Sequence, residues 1–150
     1  MSEEFNVVIP KEDFAALQWE DAGKPAVCAV NQSLANFEPK IVFSYHLSIL
    51  TELSDVNDNG MPTSAEHELF RQINAHFDEN LKADGNALFL ARIIWNGTCE
   101  LIYRVYNPEI ANTFLMDIVE NDKQVRPFSF KLEQDRDWEL AEWFLQHWQK

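Results

Sequence analysis

Glycine is scarce in this chain, four residues in 150, and no two of Gly23, Gly60, Gly85 and Gly97 are close enough to form a phosphate-cradling loop. No Gly-x-Ser-x-Gly elbow presents a nucleophilic serine. Cysteine is scarcer still. Cys28 and Cys99 lie far apart with no partner motif beside either, so a disulfide framework and a Cys-x-x-Cys redox pair are both excluded, and two reduced thiols are expected. Basic residues number 12 against 25 acidic ones, a net charge of −13 that would be repelled by nucleic-acid phosphates and by anionic membranes. No apolar run approaches the roughly 20 residues of a membrane span. The start, Met1-Ser2-Glu3-Glu4, is acidic where a secretory signal is basic and then apolar. The sequons Asn31-Gln32-Ser33 and Asn96-Gly97-Thr98 then have no route to glycosylation, and the expectation is a soluble cytoplasmic protein.

What the chain does have is a globular composition. Hydrophobic residues make up 46%, too many for a disordered acidic tail. The charge is spread at −4, −6 and −3 over successive thirds, with no linker or repeat, so residues 1–150 read as one domain. Ile41, Phe43, Tyr45, Leu47 and Ile49 alternate with polar residues, which predicts a strand. A turn over Asp55–Gly60 leads to a helix predicted from Thr63 to Ala83, with Leu69, Phe70, Ile73, Phe77 and Leu81 as its apolar stripe. Two apolar runs, Ala87–Trp95 and Thr98–Tyr106, flank Asn96-Gly97, the preferred type I′ hairpin turn. That turn pairs Ile94 with Cys99, Arg92 with Leu101, Leu90 with Tyr103 and Leu88 with Val105 on an apolar face, and leaves Phe89, Ile93, Glu100 and Arg104 on a wetter one. Asn107-Pro108 caps a second helix carrying Ile110, Phe114, Leu115, Ile118 and Val119. Phe128, Phe130 and Leu132 form a strand that Pro127 assigns to an edge. A last helix is predicted from about Asp137.

From about residue 41 to 133 the order is strand, helix, strand, strand, helix, strand. This is an α+β chain with the ferredoxin-like βαββαβ core. The short strands Phe5–Ile9, Phe14–Trp19 and Pro25–Val30, and the terminal helix, are expected to extend or cover that core.

Several motifs carry candidate chemistry. Asp55-x-Asn57-x-Asn59-Gly60 followed by Glu66 satisfies the EF-hand pattern of oxygen ligands. A strand precedes it instead of a helix, however, and Pro62 removes a backbone N–H that a paired loop needs. Thr63-Ser-Ala-Glu66 is accounted for as a capping box, which leaves calcium at 55–66 as a lesser alternative. His67-Glu68 lacks the second histidine of a zinc-protease helix, and His76 projects from the opposite side of the helix. His46 and His147 stand alone, so no catalytic residue, metal or cofactor is expected. Arg92 is odd on an apolar face, placed there either at the sheet's open end or by pairing with a buried carboxylate. Three of five tryptophans, Trp138, Trp143 and Trp148, fall in the terminal helix, and an exposed Trp143 or Trp148 would mark a partner surface.

Trp19 with Gly23-Lys24-Pro25, Asp58-Asn-Gly60-Met-Pro-Thr63 with Glu66, Arg92 before Asn96-Gly97, Tyr103, and Asp135-x-x-Trp138 together resemble the uncharacterised bacterial family called domain of unknown function 695. The resemblance covers most of the chain and implies no activity or catalytic residues. Some members of that family are joined to a domain similar to regulator of ribonuclease E activity B, an acidic ferredoxin-like inhibitor, which is absent here. The expectation is therefore a non-enzymatic, acidic interaction or regulatory module that binds a protein partner, a basic one by charge complementarity. The alternative is a small enzyme or ligand binder with a site near Arg92 and Tyr103.

Overall fold

The computed structural model describes residues 9–121 and 125–146. Six strands, β1 (Phe14–Asp21), β2 (Lys24–Asn31), β3 (Tyr45–Glu52), β4 (Ala87–Trp95), β5 (Thr98–Val105) and β6 (Phe128–Gln134), form one sheet in the order β1-β2-β4-β5-β3-β6. Every pairing is antiparallel. Helix α1 (Ser64–Leu81) follows β3, and helix α2 (Pro108–Glu120) follows β5. The order of β4, β5, β3 and β6 is that of the ferredoxin-like core, and the β1–β2 hairpin extends it past β4. β6 lies at the far edge, as Pro127 requires.

Apolar residues line both faces of the sheet. On one, Leu47, Ile49, Leu101, Tyr103 and Val105 pack beneath Phe70, Phe77 and Leu81 of α1 and Ala111, Leu115 and Ile118 of α2. The opposite face buries Cys28, Val30, Leu88, Leu90, Ala91 and Ile102 under Leu34, Phe37 and Phe43 and under Trp138, Phe144 and Leu145. Asn96 and Gly97 adopt the positive φ of the type I′ turn (47° and 82°). The loop after β3 is fastened to that turn: Leu53 N–H donates to the Gly97 carbonyl and Gly97 N–H to the Gly60 carbonyl, both at 2.8 Å. Lys24 Nζ donates to the Asp58 carbonyl at 2.9 Å, so the loop is tied to the β1–β2 turn as well.

Four expectations need correction. The strand predicted from Ile41 starts at Tyr45, because Lys40–Phe43 is a 3₁₀ turn. That turn breaks the alternation: Phe43 joins the face opposite Leu47 and Ile49, and Ile41 is exposed. The register of the long hairpin holds from Trp95 to Ala91 and then shifts at a bulge, so Phe89, not Leu90, pairs with Tyr103 and Leu88 pairs with Arg104. The face expected to be wet is covered, and Arg104 has no exposed surface. Finally, the terminal helix is not continuous from Asp137. Trp138 sits in the left-handed region (φ 60°), a 3₁₀ turn spans Glu139–Ala141, and a single helical turn, α3 (Glu142–Leu145), follows.

Asp135 explains the interruption. Its carboxylate accepts N–H bonds from Glu139 and Leu140 and a bond from Arg104 Nη1 at 2.9 Å. Trp138 swings inward, lies 4.6 Å above the Arg104 guanidinium and donates Nε1 to the Lys40 and Phe43 carbonyls. The strand predicted at Phe5–Ile9 lies outside the described residues up to position 8, and Ile9 is in no strand.

Candidate functional site

Two helices suffice to cover four strands, and this sheet has six. The β1–β2 extension therefore carries the helix-side face beyond α1 and opens a cleft between them, a cavity of about 430 Å³. Its roof is one stripe of α1, Arg71, Asn74, Ala75 and Asp78, continued by Lys82 at the C-cap, at the spacing of a single helical face. Its floor is a ladder of rings, with Phe14 5.8 Å from Phe89 and Phe89 5.4 Å from Tyr103, all edge to face. Arg92, Ala29 and Leu101 complete the floor, and Glu12 closes one end. The bulge in β4 turns Phe89 into this ladder, a re-aiming typical of bulges near functional sites.

The polar groups divide into two sets. Tyr103 donates its hydroxyl to Asp78 Oδ1 at 2.8 Å, and Lys82 Nζ bridges Asp78 at 3.0 Å and Glu12. Burial and then the Asp78 carboxylate push the Tyr103 phenol well above its ordinary value, so it stays a hydrogen-bond donor. Burial works to lower the Lys82 ammonium, but its bonds to Glu12 and Asp78 outweigh that and raise it. At the other end, Arg71, Asn74 and Arg92 also border a smaller cavity of about 100 Å³. Arg71 is paired with Glu68 at 2.8 Å. Arg92 has no hydrogen-bond or ion-pair partner among the described residues, and Asn74 Oδ1 is buried without one.

Arg92 and Tyr103, predicted from the sequence, thus line one cleft. Arg92 is half-buried between Ala29 of β2 and Leu101 of β5, and no carboxylate among the described residues pairs with it. Trp143 lies on the other face of the sheet, 44% exposed, its ring 5.4 Å from Trp19 and 5.1 Å from Phe144. Trp148 and His147 lie outside the described residues. Sequence reasoning missed Glu12, Asn74, Asp78 and Lys82. The last three repeat at helical spacing along the flank of the apolar stripe of α1, which marks a polar edge of the helix but not the strands beneath it.

The other motifs are spent within the fold. Thr63 accepts the Glu66 N–H as an N-cap, but the Glu66 carboxylate does not close a capping box on the Thr63 N–H. It takes the Ser54 N–H and a two-bond grip from Arg126 at 2.8 and 2.6 Å, which holds it down to about 2. Asp55 accepts the Thr63 hydroxyl at 2.8 Å. No group of three or more metal-ligating side chains is found among the described residues. Burial pushes the Cys28 thiol up to about 12, and Cys99 higher still, so neither is a nucleophile near neutral pH. A second cavity of about 460 Å³ lies between α1, α2 and β6, lined by Phe77, Phe114 and Phe128 with the unpartnered Thr51 hydroxyl buried at its base. Its guanidinium, Arg126, is already held by Glu66.

The model of the family of unknown function DUF695 matches residues 19–146. No curated protein matches. No solved structure matches either.

Proposed function

Because the chain belongs to the DUF695 family, whose function is unknown, we propose from its own geometry that it is a non-enzymatic binding module, and that the α1 cleft receives a small anion on Arg92. One observation carries the reading. A protein of net charge −13 keeps a half-buried guanidinium with no ion-pair partner among the described residues, in a cavity of ligand size. A guanidinium that faces a cleft can give an entering anion charge-assisted hydrogen bonds that are stronger than neutral ones. Binding is favoured over catalysis because the acid–base groups nearby are already engaged: Tyr103 with Asp78, and Asp78 with Lys82. The test is titration with phenylacetate and with inorganic phosphate, followed by backbone amide shifts. Shifts are expected along α1 and β4, and Arg92→Met should weaken binding by about 10–100-fold, the usual worth of a charged hydrogen bond. Equal binding by the variant would end this reading.

A second reading rests on Trp143. A large ring 44% exposed beside the exposed Leu140, on a strongly acidic protein, suits contact with a basic protein partner in the cytoplasm. Such a partner should be lost both at high salt and on Trp143→Ser. Retention on the Trp143→Ser variant at unchanged affinity would remove this surface from consideration.

A further inference from the structure

We infer that the ligand of the α1 cleft is a small zwitterion of amino-acid type, its carboxylate on Arg92 and its ammonium on Asp78 and Glu12. This rests on the reading of the cleft as a ligand site and goes further by assigning charge to both ends of the molecule.

The cleft is dipolar. At one end Arg71 is neutralised by Glu68, which leaves the charge of Arg92 uncompensated. At the other end two carboxylates, Glu12 and Asp78, share a single ammonium, Lys82, which leaves one negative charge in excess. The ends are defined by what adjoins them. Arg71, Asn74 and Arg92 open towards Pro62 and Ile94, whereas Glu12, Lys82 and Phe89 open towards Ile9 and Leu34. Asn74 and Asp78 are one turn apart on α1, a rise of about 6 Å, so a small molecule spans both ends at once.

A simple anion satisfies only half of this arrangement, because its far side would meet the excess of carboxylate. A simple cation meets Arg92 with the wrong sign. A molecule carrying both charges complements both ends without any change in the net charge of the complex. The Phe14–Phe89–Tyr103 ladder then offers an apolar, aromatic floor to the ligand's side chain.

Three probes that share a ring separate the charges: phenylalanine with both, phenylacetate with the carboxylate alone, and phenethylamine with the ammonium alone. Calorimetry and amide shifts on the full chain should rank phenylalanine at least tenfold above either of the others. Arg92→Met should remove the phenylacetate response and spare that of phenethylamine. Asp78→Asn, which keeps a group for Tyr103 to bond, should do the reverse. If phenylacetate binds as tightly as phenylalanine and depends on Arg92, the zwitterion is overturned while the anion site stands. Should no carboxylate probe bind in an Arg92-dependent way up to about 10 mM, both fall together. The wild-type ranking decides the matter even where a variant fails to fold.

Discussion

A guanidinium with no exposed surface needs its donors answered, and Arg104 has them answered by the Phe43 carbonyl, His46 Nδ1 and both the carboxylate and the carbonyl of Asp135. The pair is kept by mutual dependence: each charge is costly to bury alone. Asp135→Ala should therefore lower unfolding free energy in urea by about 3–5 kcal/mol, the usual loss on breaking a buried pair. Removing the same residue also frees the Glu139 and Leu140 N–H groups, so the 3₁₀ turn over Glu139–Ala141 should fray with it. His46 sits against this pair, and burial, reinforced by the Arg104 charge, lowers it from 6.5 to about 4. As pH falls, the unfolded chain takes up the His46 proton first. Stability is thus constant above about pH 6.5 with respect to this group and is lost between 6.5 and 4. Unfolding titrations from pH 8 to 4 should show that decline, and His46→Gln should flatten it. Glu66, held to about 2 by Arg126, withdraws its own contribution only below about pH 4.5, in a separate window.

At the scale of elements, the joint between the Asp55–Pro62 loop and the hairpin turn leaves no room for a side chain on Gly60. A Cβ on Gly60 would lie 2.5 Å from the Asn96 Cα, and φ there is +88°. Gly60→Ala is expected to cost about 1–3 kcal/mol from backbone strain alone and to lower the melting temperature, whereas Gly23→Ala, with open space around it, should cost less. The contrast also shows what was legible. Asn96-Gly97, Thr63 and Asn107-Pro108 are local chemistries, each complete within four or five residues, and the turn and both caps are found where the sequence put them. The docking of Gly60 on Asn96 joins residues 36 positions apart and leaves no periodic trace. The start of β3 was misread for a related reason: Phe43 is apolar because it packs on Phe37 and Trp138, not because it continues the strand.

For the molecule as a whole, a charge of −13 spread along the chain means self-repulsion that salt relieves. The melting temperature should rise as sodium chloride is raised from about 20 to about 300 mM, beyond one Debye length of screening; a flat profile would mean that the carboxylates are locally compensated. The βαββαβ order was readable because each element has its own period, and from that order the sheet topology follows. The cleft was only half readable. Arg92 stood out as a charge in an apolar run, but its neighbours Asp78 and Lys82 are ordinary residues of a polar helix face until the sheet is known to run past α1. The bulge at Leu90 was invisible for a further reason, since nothing in Leu88-Phe-Leu-Ala91 distinguishes a regular strand from one carrying an extra residue. That residue acts as a change of parity. Phe89 and Arg92 are an odd number of positions apart, and an uninterrupted strand would send them to opposite sides of the sheet. With one residue added between them they share a side. The make-up of the cleft is thereby tied to a count of residues: were β4 to pair regularly with Leu90 kept in the ladder, Phe89 and Arg92 would part to opposite faces, whereas deleting Leu90 would leave them two positions apart and on one face with no bulge at all.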